Sequence, residues 1–93
     1  MSISNSSEVM RLEGLVSGPA GEDIVILNLQ GNNYIALDAV GRRIWELLVT
    51  PRRVEELCAQ LEGEYSAPPG KVAADVLHFL EELNREGMLR VVE

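Results

Sequence analysis

One cysteine, Cys58, and one histidine, His78, stand in a chain of 93 residues. A lone thiol closes no internal disulfide, and with one imidazole it falls short of the ligands of a structural zinc site. A reducing, cytoplasmic compartment is therefore expected, with no metal and no cofactor. Basic residues are scarce as well: eight Lys and Arg against 15 Asp and Glu give a formal charge of -7, which repels phosphate backbones and anionic lipid alike. Neither nucleic acid nor membrane is expected among the partners. Long apolar runs are also missing. The longest, Ile24 to Leu27 and Tyr34 to Leu37, have four residues each, against about twenty for a membrane span. The opening MSISNSSEV carries neither the basic flank nor the apolar segment of a secretion signal.

What is present is 46% hydrophobic residues, enough for one compact core and too few residues for two. Residues 1–7, mostly Ser and Asn, are expected to form a disordered arm, with a single domain over residues 8–93. From Glu8 to Leu37 the apolar spacing is close to two, which predicts three strands: one around Val9 to Leu12, one from Ile24 to Leu29 and one from Tyr34 to Leu37. Gly18-Pro19-Ala20-Gly21 is expected to break the first from the second, and Gln30-Gly31-Asn32-Asn33 to supply the positive φ of a hairpin turn. After Asp38, placed as an N-cap, the period becomes helical: Val40, Ile44, Leu47 and Leu48, stopped by Thr50-Pro51; then Val54, Leu57, Cys58 and Leu61, ending near Gly63; then Val72, Val76, Phe79, Leu80 and Leu83, closed by Gly87. Met88 to Val92 reads as a terminal strand or an extended tail. The fold class is α+β, a three-stranded antiparallel sheet followed by three helices.

Catalysis needs a nucleophile with a base, paired carboxylates in a cleft, or a metal, and the sequence offers little of these. Cys58 falls on an apolar seam and reads as core. His78 sits beside the seam of the third helix as a rim residue. Asp75, Glu82 and Glu86 share one flank of that helix and read as a solvated face, or as a site for a cation or a basic partner. No enzyme is expected. The one basic cluster, Arg42, Arg43, Arg52 and Arg53, favours either a solvated or partner-facing surface or, as the alternative, a winged-helix DNA reader. The acidic third helix, which would have to be the recognition helix, speaks against the DNA reading. The third strand has a side without a neighbour unless another segment covers it, and it carries neither Lys nor Pro to blunt that edge; this suits strand addition by an extended peptide.

Val25-Ile-Leu-Asn-Leu29, Gly31, Tyr34-Ile-Ala-Leu-Asp-Ala-Val-Gly41 and Ile44-Trp-Glu-Leu-Leu48, followed by Glu55-Glu-Leu57, Tyr65, Asp75-Val76, Phe79-Leu80, Leu83 and Gly87, resemble the PqqD-like family. The likeness runs over about residues 8 to 92. It implies a winged helix-turn-helix that recognises the leader of a ribosomally made precursor peptide, taking it up as an added strand between the third strand and the third helix. On that footing the peptide-binding residues are Asn33, Tyr34, Ile35, Ala36 and Leu37 on the strand, with Val72, Asp75, Val76 and Phe79 on the helix. The segment Ala39-Val-Gly-Arg-Arg-Ile-Trp45 and the stand-alone length are similar to the lasso-peptide type, whose partners are a separate leader peptidase and a cyclase. Arg42, Arg43, Arg52 and Arg53 are then the expected docking residues for that enzyme. Two positions depart from the family pattern. Arg53 stands where relatives cap the second helix, and Pro68-Pro69-Gly70 stands ahead of the third, whose start is therefore open to a different placement.

Overall fold

The change from period two to period 3.6 at Asp38 is the point where sheet gives way to helix. The computed structural model describes residues 3–21, 23–68 and 70–92. Strands β1 (Glu8–Arg11), β2 (Val16–Ala20), β3 (Asp23–Asn28) and β4 (Asn33–Leu37) precede helix α1 (Ala39–Leu47). A two-residue strand β5 (Arg52–Arg53), helices α2 (Val54–Glu64) and α3 (Lys71–Arg85), and strand β6 (Leu89–Val91) complete the chain. The expected α+β class, with an antiparallel three-stranded meander and three helices, is what the chain adopts. No described helix is long and apolar enough to cross a membrane.

The meander is built from other residues than the spacing predicts. Its order is β2-β3-β4, with Val16 opposite Leu27 and Leu27 opposite Tyr34. Gly18-Pro19-Ala20, expected as a breaker, lies inside β2. An edge strand has one side on which a missing N–H goes unnoticed, so Pro19 is tolerated there. The stretch around Val9 does form a strand, but in a second sheet ordered β5-β1-β6, where Val9 faces Arg52 on one side and Val91 on the other. Asn28 and Asn33 close the β3–β4 hairpin, and the positive φ falls on Asn32, at 56°.

Each helix end shows how the chain satisfies the orphan backbone groups. The Asp38 carboxylate accepts from the Gly41 N–H at 2.9 Å. Arg53 has no acceptor to offer α2. In its place the Glu56 carboxylate accepts from the Arg53 N–H at 3.2 Å, and the carbonyls of Ser7 and Asn5 accept from the N–H groups of Val54 and Glu55, each at 3.0 Å. The N-terminal segment thus replaces the missing side-chain cap. α3 begins at Lys71, behind Gly70 at φ 84°, and ends in a Schellman motif: Met88 N–H donates to the Leu83 carbonyl at 2.9 Å and Gly87 N–H to that of Asn84 at 3.1 Å, with Gly87 at φ 76°.

One core joins the elements. Ile26, Leu37, Ile44, Leu48, Leu57, Leu61, Leu80, Leu83 and Met88 are all but completely buried. Trp45 is buried beneath the guanidinium of Arg11, which lies 5.3 Å from the ring centroid. Cys58 is buried on the α2 seam, and desolvation pushes its thiol pKa up. Ile3 belongs to the same core. The expectation of a disordered arm over residues 1–7 is therefore corrected for residues 3–7: one apolar side chain and two carbonyls anchor a segment whose composition is otherwise polar. Residues 1 and 2 lie outside the described residues. Ile3→Ala should cost about 2–5 kcal/mol, the range for truncating a buried Ile; chemical denaturation measures it, and an unchanged midpoint would return the arm to solvent.

Candidate functional site

Strand pairing decides which edges stay open. β4 pairs with β3 and with no other strand among the described residues. The two segments able to cover it, the first strand and the C-terminal tail, pair with each other as β1 and β6. Along β4 the side chains alternate: Ile35 and Leu37 are buried, whereas Tyr34 and Ala36 are exposed, Tyr34 to 68%. Asn33 is half-buried, and its Nδ2 donates to both the backbone carbonyl and Oε1 of Glu86, each at 2.9 Å. The open edge is thus tied at its first residue to the C-terminal end of α3.

α3 divides its predicted site residues between two jobs. Val76 is fully buried, with Leu80 and Leu83, and offers no surface to a ligand. Val72 and Phe79 are half-buried and Asp75 is exposed. A concavity of about 340 Å³ between α1 and α3 is lined by Asp38, Val40, Gly41, Asp75, His78 and Phe79, among others. A smaller one of about 130 Å³ shares Val40 and Asp75 and adds Tyr65 and Val72. The structure therefore brings Val72, Asp75 and Phe79 together at the Leu37 end of β4. Asn33 to Leu37 line neither concavity; they supply the adjoining backbone edge. Gly41 permits this approach, because a Cβ there would stand 3.3 Å from the Phe79 ring. Asp75 meets Lys71 at 2.9 Å.

The four arginines do not form a free basic patch. Arg43 grips Glu64 through Nε and Nη2, both at 2.9 Å, and so fastens α1 to the end of α2. Arg42 lies 3.4 Å from Glu46, and Arg53 lies 3.7 Å from Glu55. Arg52 donates from Nε to the Leu47 carbonyl at 2.8 Å, satisfying the last turn of α1. No group of three or more potential metal ligands occurs among the described residues.

Sequence reasoning missed an apolar face. The outward side of the meander carries Val16, Leu27 and Tyr34 in one row across three strands, exposed to 46%, 37% and 68%. Leu29 beyond them is 73% exposed. A one-sided antiparallel strand alternates apolar with polar, and the unbroken run Ile24-Val-Ile-Leu27 was the available signal that this one is apolar on both faces. Glu86, as the partner of Asn33, had no signal in the sequence, since 53 residues separate the pair.

An open strand edge, a helix beside it and an apolar sheet face define a winged α+β module. The family model described as coenzyme PQQ synthesis protein D (PqqD) matches residues 23–89. TbiB1, solved in complex with the TbiA(beta) leader peptide, is 36% identical over 97% of this chain and 95% of its own, at a TM-score of 0.70. This chain belongs to the PqqD family. Two further solved chains share the fold. The PqqD truncation of Methylobacterium extorquens PqqCD, described as a stand-alone recognition element for ribosomally synthesised and post-translationally modified peptides, is 21% identical over 96% of this chain and 95% of its own, at 0.77. A lasso peptide synthetase B1 complexed with its leader peptide is 16% identical over 88% of this chain and 96% of its own, at 0.73. No protein of curated function matches the chain.

The Glu64 carboxyl is held below its usual range, first by the hydrogen bonds from Arg43 and then by Gln60. A carboxyl with a depressed folded pKa stabilises the fold above its unfolded pKa and loses that contribution as pH falls through the folded value. Arg43→Met should move the Glu64 titration back up, as read by carbon-detected NMR; a midpoint that stays put would remove the Arg43 fork as the cause.

Proposed function

We propose that this protein is a non-catalytic, cytoplasmic peptide-binding module which takes up the leader of a precursor peptide as an added strand along Asn33 to Leu37, between β4 and α3. It presents that leader to a separate leader peptidase, and through it to a cyclase, in lasso-peptide biosynthesis. The recognition domain spans residues 8–93, with residues 3–7 docked on it through Ile3 and the carbonyls of Asn5 and Ser7. The observation that carries the reading is the unpaired β4 edge in a chain that aligns over nearly its whole length with TbiB1. Backbone bonds to an added strand are worth about 0.5–1.5 kcal/mol each, so micromolar binding, about 8 kcal/mol, also needs apolar anchors. Phe79, Val72 and Val40, which line the two concavities, would receive them.

For the peptidase, the apolar row Val16, Leu27 and Tyr34 is a better supported surface than the arginines, three of which already meet a carboxylate while Arg52 is spent on the Leu47 carbonyl. The row is continuous with β4, so an enzyme seated on it would meet the added strand at its margin.

Titrating the labelled protein with a synthetic TbiA(beta) leader, and with the leader of a precursor encoded beside this gene, tests the reading. Amide shifts should move at residues 33–37 and at 72–79, and Phe79→Ala should weaken binding about ten-fold or more, the worth of one buried aromatic anchor. Shifts confined to α2 would overturn this placement. Leu27→Lys should slow leader processing by the peptidase while leaving leader affinity intact, and reversing all four arginines to Glu should do less; the opposite ranking would return docking to the arginine cluster.

A further inference from the structure

The hydrogen bonds between Asn33 and Glu86 join the two walls of the proposed groove at one end. Phe79 on α3 and Glu86, the residue that caps its C-terminus, are seven residues apart, two turns or about 10.5 Å. Asn33 and Leu37 are four residues apart on β4, about 14 Å. Phe79 packs on Gly41, just past the Leu37 end of the strand, and Glu86 meets the Asn33 end. α3 therefore spans β4 along its length and is held at both ends, by packing at one and by a side-chain amide at the other.

Gly31 makes the amide contact possible. Its φ is not in the left-handed region, which Asn32 occupies in this turn, so backbone freedom does not explain a glycine here. A Cβ at residue 31 would stand 2.6 Å from Asn33 Oδ1 and 3.0 Å from Asn28 Nδ2. The amide of Asn33 lies directly over the bare Cα of Gly31. Its Oδ1 is buried with no hydrogen-bond partner among the described residues, while its Nδ2 makes both bonds to Glu86. An unsatisfied acceptor is costly, and here it accompanies the one orientation that bonds α3 twice.

We propose that Gly31, Asn33 and Glu86 form a clamp that fixes the separation of β4 and α3, and that Gly31 and Glu86 are positioning residues for the incoming leader strand. This rests on the leader-binding reading. A groove preset to the width of one strand spares the ligand the work of ordering it, and a groove competent only part of the time binds more weakly by that fraction. Asn33→Asp replaces the donor with a second carboxylate against Glu86. Gly31→Ala displaces the Asn33 amide by contact with its Oδ1 while leaving the chemistry of Asn33 and Glu86 unchanged. Glu86→Gln keeps a carbonyl oxygen for Nδ2 and should behave as the parent.

Two measurements test it. Without ligand, spin labels at Ala36→Cys and Glu81→Cys in a Cys58→Ala background should give one narrow distance distribution in the parent and in Glu86→Gln, broadened in Asn33→Asp and in Gly31→Ala. With the TbiA(beta) leader as probe, the two broadened variants should bind about ten-fold more weakly, chiefly through a slower association rate, as expected for the loss of one hydrogen bond. Unchanged distributions in both variants, or a Glu86→Gln variant as loose as Asn33→Asp, would overturn the clamp. Failure of the parent to bind the probe would count against the leader-binding reading alone, and the distances would still decide the clamp.

Discussion

An unpaired strand edge survives in this fold because the segments able to cover it are used elsewhere. β1 draws β6 to one side and β5 to the other, so both ends of the domain are spent on a sheet that never reaches β4. That pairing is well supported: Val9 at its centre is fully buried, and Arg11 and Leu12 donate backbone N–H groups to the carbonyls of Leu48 and Met88 at 3.1 and 3.0 Å. With β1 fixed between α1 and the end of α3, the chain must turn through Gly14 before starting a new sheet at Val16. The meander that follows has two edges. β2 carries Pro19 and the bend at Gly21, which blunt it. β4 carries neither device, and that difference separates a protected edge from one available for strand addition.

The same division runs through the charged residues. Arg42, Arg43 and Arg53 each meet a carboxylate and Arg52 a helix-terminal carbonyl, so the basic cluster stiffens the α1–α2 corner. These pairs are solvent-exposed and contribute little each. Their effect is to leave no free basic stripe among the described residues, while α3 keeps Glu81 exposed and Glu82 half-buried in the flank beside its apolar seam. The acidic flank of that helix repels a phosphate backbone and attracts a basic ligand.

The helices were legible in the sequence because each is specified locally. Asp38, Thr50-Pro51 and Gly87 mark helix boundaries through interactions within a few residues, and the 3.6 period names the buried faces. The identity of the meander was not legible, since Pro19 and Gly18 read as punctuation until β3 is known to pair with them on one side only. The folded N-terminal segment was hidden for a related reason: its role depends on two carbonyls, which have no sequence signature, and on Ile3 alone among polar neighbours. On the proposed site, the β4 edge and the apolar α3 positions were readable as patterns, but periodicity could not separate Val76, which is fully buried, from Val72 and Phe79, which are not. A helical stripe gives a face, and only packing tells which of its members stand at the margin.

That margin is where the module's two surfaces meet. The inward side chains of β4 belong to the core, so a strand added to its edge would project alternate residues over the Phe79 side and over the Tyr34 side. One set would meet the concavity between α1 and α3; the other would lengthen the row Val16, Leu27 and Tyr34 by one position. The present row is small: three strands about 4.8 Å apart make a face far smaller in area than the roughly 800 Å² per partner of a stable protein interface. A fourth strand widens it in the direction of Tyr34, its most exposed member. Geometry alone therefore links the occupancy of the edge to the area presented by the face, without any change of shape in the module itself.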